Sequence, residues 1–257
     1  MPLSLADCLL PDWPAPRGVR ALVTTRAGGL SAAPWAGLNL GTAVGDDPAT
    51  VAANRRLLAA LLPHEPRWLR QVHGTGVVDA GTVGSPAPEA DAAFTRTPGV
   101  VCVVQMADCL PVLLAARDGS AVAAAHAGWR GLAGGVLENT VAALGVPPHR
   151  LVAWLGPAIG PERFEVGEEV RTAFIAGGDT AAGAFRPAGP GKWMADLFAL
   201  ARLRLTGLGV EQVYGGGLCT SSDPARFYSH RRDRTTGRHA ALVWIEPGPQ
   251  AGAPTAR

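Results

Sequence analysis

The 257-residue chain is 47% apolar and 17% charged, a balance that excludes a disordered protein and leaves room for a sizeable buried core. Its formal net charge of +2 is too small to argue for nucleic acid or an anionic membrane as partner. The 33 glycines and 22 prolines make it rich in turns, below the ~25–30% of low-complexity sequence.

The N-terminal stretch MPLSLADCLLPDWPAPRG has no basic segment leading into a long apolar one, so no signal peptide is expected there. No run nears the ~18 apolar residues of a membrane span. ALVTTRAGG (21–29) reads as a strand entering a glycine turn. DDPATVAANRRLLAALL (46–62) reads as a helix, with Asp46 or Asp47 as its cap and Pro48 in its first turn. VVCVVQ (100–105), PVLLAA (111–116) and AVAAAH (121–126) read as strands, followed by a helix over 131–144 that stops at Gly145. LVAWLG (151–156) is a further strand, MADLFALARLRLTGLG (194–209) a second clear helix, and HAALVWIE (239–246) the last strand. This pattern predicts an α+β chain, with residues 1–245 as a single domain and the aperiodic Pro/Gly/Ala-rich residues 246–257 as a disordered tail. Cys8, Cys102, Cys109 and Cys219 show no disulfide-like spacing, which predicts reduced thiols and a cytoplasmic protein.

Between the strands at 111–116 and 121–126 lies the polar break Arg117-Asp118-Gly119-Ser120. If Asp118 and Gly119 form a two-residue hairpin loop, Arg117 pairs with Ser120 and His126 faces Pro111. Cys109, two residues before Pro111, then lies on the same face as His126, at a diagonal separation of roughly 5–8 Å. That spacing lets a thiolate and an imidazole reach one metal ion with bonds of about 2.0–2.3 Å. His73 in RQVHGTG, beside two turn glycines, offers a third ligand and would complete an open catalytic shell. The same geometry would also serve a Cys109–His126 nucleophile–base pair. Asp108 is the nearest carboxylate in sequence, but strand alternation points it away from Cys109.

The segments QVHG, ADCLPVLL and AAHAGWRG resemble the YfiH-like (DUF152) family, whose members were once called multicopper polyphenol oxidases or laccases. LNLGTAVGDDPATVAANR, WLGPAIGPERFEVG and FYSHRRDRTTGRHAALVWI extend the resemblance over about residues 20–245. It implies a layered α+β sandwich with mixed β-sheets inside and helices outside, similar to the catalytic domain of cytotoxic necrotizing factor. It also implies a metal triad of His73, Cys109 and His126. One departure is His230, where the family pattern has Tyr before the arginines.

Three chemistries follow from the resemblance. The first is a zinc-dependent purine nucleoside enzyme, performing phosphorolysis of adenosine, inosine, guanosine and methylthioadenosine and deamination of adenosine. An activated water suits attack at C6, and phosphorolysis needs a phosphate clamp. Arg55 in ANR, Arg26 in TTRAGG and Arg130 in GWRG are the candidate clamps, and Asn39 in LNLG could hydrogen-bond ribose or base. The second is an amide hydrolase of peptidoglycan precursors that removes L-Ser wrongly joined to UDP-MurNAc. The third is a copper-dependent polyphenol oxidase: His₂Cys could hold one copper, but six histidines in all are too few for an added trinuclear cluster. The expected partners are a small-molecule nucleoside and phosphate, with no nucleic acid and no membrane. The five arginines of 226–238 read as a solvated loop, since the aromatics there are confined to Phe227 and Tyr228.

Overall fold

The computed structural model describes residues 3–176 and 179–248, so the tail expected over 246–257 lies, from residue 249 on, outside the described residues. In chain order, β1 (Cys8–Leu9) and β2 (Val19–Thr24) precede α1 (Pro48–Ala59), β3 (Val77–Asp79), β4 (Ala92–Thr95) and β5 (Val101–Met106). The hairpin β6 (Leu110–Ala116) and β7 (Val122–Ala127) leads into α2 (Trp129–Gly134), α3 (Val136–Leu144) and β8 (Leu151–Leu155). β9 (Glu165–Gly167), α4 (Glu168–Ile175), β10 (Phe185–Gly189), β11 (Lys192–Ala195) and α5 (Leu197–Gly207) follow. β12 (Gln212–Gly215), α6 (His230–Asp233) and β13 (His239–Ile245) complete the described elements.

The strands form an antiparallel four-stranded sheet in the order β1-β2-β13-β5 and a mixed six-stranded sheet in the order β12-β8-β6-β7-β4-β3. The latter is parallel at its two edges and antiparallel between them. β10, β11 and β9 make a small third sheet. The two larger sheets face each other: Leu113, Ala124 and Trp154 share one buried cluster with Val23, Val104 and Val243. The far side of the six-stranded sheet, with Val112, Leu114 and Ala125, packs on Leu137 and Val141 of α3 and Leu200 and Leu205 of α5. The far side of the four-stranded sheet, with Leu22, Val103 and Leu242, packs on Leu58 of α1 and on Leu38 and Leu40. The expected sandwich of sheets inside and helices outside is thus the observed one.

This layering explains the sequence of the hairpin. All seven residues of β6 and all six of β7 are buried, because each strand has a sheet on one face and helices on the other. Such strands read as continuous apolar runs without alternation. The hairpin pairing is as expected, with Pro111 opposite His126. The turn is wider than a two-residue loop. Ala116 N–H donates to Ala121 at 2.8 Å, Gly119 N–H donates to Ala116 at 2.8 Å, and Arg117 turns its N–H to Arg150 instead of pairing with Ser120. Gly119 takes φ +76°, and Asp118 accepts from Ser120 N–H at 3.1 Å, which stabilises the four-residue loop locally.

Two helices differ from expectation. The helix expected over 131–144 starts earlier and is broken into α2 and α3 at Gly135, which adopts the left-handed φ of +102° that favours glycine. The helix expected over 194–209 begins at Leu197, capped by Asp196 on Ala199 N–H at 3.0 Å, because residues 194–195 belong to β11. α1 is capped by Asp47, whose carboxylate accepts from Thr50 N–H at 2.9 Å. Among the described residues no helix is long and apolar enough to cross a membrane.

Candidate metal centre

The centre lies at one end of the layer between the two large sheets. β7 carries Val122 and Ala124 on its inter-sheet face, and His126 continues that row at the strand's end. Cys109 sits in the bend just before β6, and His73 in the loop before β3. One donor atom from each of His73, Cys109 and His126 lies within 4.8 Å of the other two. His126 is buried, Cys109 half-buried and His73 exposed. The two imidazoles meet edge-to-face with centroids 4.9 Å apart.

A fully buried carboxylate, Asp91, binds these parts together. Its Oδ1 accepts from the His126 ring at Nδ1 (2.8 Å) and from His73 N–H (2.9 Å). Its Oδ2 accepts from Gly74 N–H (2.6 Å) and Val72 N–H (3.2 Å). The first hydrogen bond commits the His126 proton to Nδ1 and turns Nε2 toward the cluster. The other three hold the loop in which His73 takes the unusual φ of +59°. Gly128, the N-cap of α2, is needed for the close approach: a Cβ there would lie 2.8 Å from Cys109 Sγ and 3.3 Å from the His73 ring.

Electrostatics favour the thiolate of Cys109. Burial alone would push the Cys109 thiol up, but the His126 and His73 imidazoles beside it bring it down to about 6. Burial would push His126 down, yet the Cys109 sulfur and the Asp91 carboxylate raise it to about 9. These are two views of one proton, which moves from thiol to imidazole in the metal-free pair. A thiolate and two imidazoles so arranged suit zinc or copper, and three protein donors leave a position open.

The triad opens into a cavity of about 760 Å³, lined on its other walls by Arg55, Trp68, Gln105, Phe164, His230 and Arg238, among others. A model of the family described as multi-copper polyphenol oxidoreductase laccase matches residues 20–246. A purine nucleoside phosphorylase of Pseudomonas aeruginosa is 58% identical, covering 93% of this chain and 98% of its own. The purine nucleoside phosphorylase YfiH of Escherichia coli is 50% identical, covering 94% of this chain and all of its own. The chain belongs to the YfiH-like family. The crystal structure of a DUF152 protein of Neisseria meningitidis is similar at a TM-score of 0.91 and 51% identity, covering 94% of this chain and all of that one. YlmD of Geobacillus stearothermophilus gives 0.85 at 33% identity, over 95% and 98% of the two chains.

Not every residue that the YfiH-like resemblance offered as a substrate contact reaches the cavity. Arg55, on α1, does. Its Nε and Nη2 donate to Leu40 O at 3.0 and 2.9 Å, its guanidinium lies 3.8 Å over the Trp68 ring, and burial pushes its pKa down to about 10. Asn39 is placed differently from expectation. It is fully buried, accepting from Gly41 and Arg238 N–H groups at 2.9 Å and donating to Asp46 at 2.8 Å, so its amide serves the loop and does not line the cavity. Arg26 also departs, stacking on Tyr228 and donating to the carbonyls of Pro224 and Ala36. Arg130 is exposed over the Trp129 ring and lies outside the cavity wall.

Asp108 turns away from Cys109, as alternation suggested, and accepts from Thr220 Oγ1 and Arg231 N–H, each at 2.6 Å. It thereby anchors the bend at φ +94° that presents Cys109. The arginine-rich segment is mostly internal stapling: Arg232 holds the carbonyls of Thr220 and Phe227, and Arg238 those of Thr236 and Gly237. Sequence reasoning missed Asp91, Trp68, Gln105 and Arg238. The signal for Asp91 was its place one residue before β4, where a buried charge needs the paired imidazole that β7 brings.

Proposed function

We propose that this chain is a zinc-dependent purine nucleoside phosphorylase that also deaminates adenosine. One observation carries the reading: the three donors open together onto a nucleoside-sized cavity, in a chain 58% identical to a named purine nucleoside phosphorylase. In phosphorolysis the bond from C1′ to N9 breaks, a phosphate oxygen bonds C1′, and the base leaves with a proton. His73, Cys109 and His126 would hold the ion, which would supply Lewis acidity when bound. Asp91 keeps His126 in the tautomer that can ligate. Arg55 has two of its N–H groups anchored on Leu40, and its Nη1, without a partner among the described residues, would take an oxyanion of phosphate or a ribose hydroxyl. A thiolate at Cys109 requires reducing surroundings, which fits the cytoplasm.

Metal content by elemental analysis, together with chromatography of adenosine and inosine incubations with and without phosphate, tests this directly. About one zinc per chain, with free base and ribose-1-phosphate formed only when phosphate is present, is the expected result. Inosine accumulating from adenosine reports the deaminase activity. Phenol oxidation with dioxygen uptake and no nucleoside turnover would put the copper oxidase reading in its place.

A second reading has its own support. Asp91, His126 and Cys109 stand in the order carboxylate–imidazole–thiol that activates a nucleophile, and this could serve amide hydrolysis of a peptidoglycan precursor. His73 within reach of the same point weighs for the metal, since a nucleophile–base pair has no use for it. Activity that survives complete chelation would favour the thiolate.

A further inference from the structure

We propose that Gln105 is the residue with which the cavity reads position 6 of a purine base, a role that rests on the nucleoside reading above. Gln105 sits near the end of β5, and its backbone is held from both sides. Across one edge its register partner is Ala240 of β13. Across the other, Gln71 clasps it reciprocally: Gln105 N–H donates to Gln71 Oε1 at 2.7 Å, and Gln71 Nε2 donates to Gln105 O at 2.8 Å. The residue is therefore rooted on rigid backbone four positions before Cys109.

Its side chain is free. Cys102, Val104 and Met106 point between the two sheets, whereas Val101 and Val103 pack on the outer side with Trp68. Alternation puts the Gln105 amide on that outer side, where the residue lines the cavity. Several polar groups of the wall are already engaged. Gln71 is held by the Gln105 backbone, Asp108 by Thr220 and Arg231, Arg70 by Glu89, and Arg238 by Thr236 and Gly237. The Gln105 amide has no hydrogen-bond partner among the described residues, and Trp68, with the Arg55 guanidinium 3.8 Å over its ring, lies on the same face of the sheet.

A carboxamide carries a donor and an acceptor side by side and can rotate to exchange them. A 6-aminopurine presents an N–H donor at position 6 beside the N1 acceptor, and a 6-oxopurine presents the reverse. One glutamine therefore meets both edges with two hydrogen bonds, whereas a side chain without polar atoms meets neither.

The test compares wild type and Gln105→Met with phosphate for kcat/KM on adenosine, inosine and purine riboside, which carries no group at position 6, and for the Kd of each nucleoside. Metal content and thermal midpoint report on folding. Gln105→Met is expected to lower kcat/KM on adenosine and inosine about tenfold or more, and on purine riboside less, because that nucleoside has no position-6 group to lose. An equal loss on all three nucleosides, or no loss on any, in a folded, metallated variant would overturn the assignment while leaving the nucleoside reading intact. A wild-type enzyme that converts none of them would overturn both.

Discussion

Asp91 brings one carboxylate to the point where an imidazole and three consecutive backbone N–H groups converge, and its charge answers all four donors. Asparagine in its place would turn an NH₂ toward one of these donors and leave a buried group unsatisfied, at a cost of about 1–3 kcal/mol. Asp91→Asn should therefore fold with reduced stability and bind zinc about 10–100-fold more weakly, as measured by competition with a chelating dye. Unchanged affinity would reduce Asp91 to a loop anchor. The stability difference should also depend on pH. Burial would raise the Asp91 pKa, but the His126 hydrogen bond and the N–H groups outweigh it, so the native value lies below the ordinary 3.8. A group depressed on folding contributes stability above its unfolded pKa and loses it as pH falls through the native one. The gap between wild type and Asp91→Asn should thus narrow on acidification below about pH 4, as read from urea midpoints of metal-free protein. In the same metal-free protein, Cys109 should alkylate with a half-maximal rate near pH 6. A profile centred on the ordinary thiol value would show that the imidazoles do not act on it.

At the scale of elements, the centre depends on how closely α2 begins beneath the hairpin. Gly128 leaves no Cβ between that helix start and the Cys109 sulfur, 2.8 Å from where one would stand. Gly128→Ala should push Cys109 or His73 out of ligating position, costing about 1–3 kcal/mol in overpacking and most of the bound metal by elemental analysis. Retention of full metal content would mean that the loop yields at no cost to the site. α1 makes a separate contribution through Arg55. If its guanidinium holds phosphate, Arg55→Ala should lower phosphorolysis roughly tenfold or more with the metal retained, and Arg55→Lys should recover only part of it. Deamination, which uses no phosphate, should fall less.

Over the whole molecule, the donors come from three separate places: a loop before β3, the bend before β6 and the end of β7. Binding of one ion should therefore favour the folded state over the unfolded chain. Zinc at 100-fold above its Kd should stabilise by about 2.7 kcal/mol, less any affinity of the unfolded thiol and imidazoles. Thermal midpoints of chelated and zinc-reloaded protein measure this, and Cys109→Ala should abolish the response. A midpoint indifferent to zinc in the wild type would count against the centre.

The sequence by itself determined the local parts of this protein. The pairing of Pro111 with His126 was legible because the apolar runs flank a polar break, and any register slip would turn His126 to the other face. The α1 cap was legible in Asp47 and Pro48, since capping is settled within one turn. The split at Gly135 and the short strands β9 to β11 were not, because strands of three to five residues carry too few positions for a period to show. The triad came from hairpin arithmetic and from family motifs. Asp91 and Trp68 are distant in sequence from the groups they meet, and only the fold makes them neighbours. The same meeting took Asn39 and Arg26 away from the cavity: their nearest unsatisfied partners were the backbone groups of folded loops, and a buried amide or a stacked guanidinium must satisfy those first.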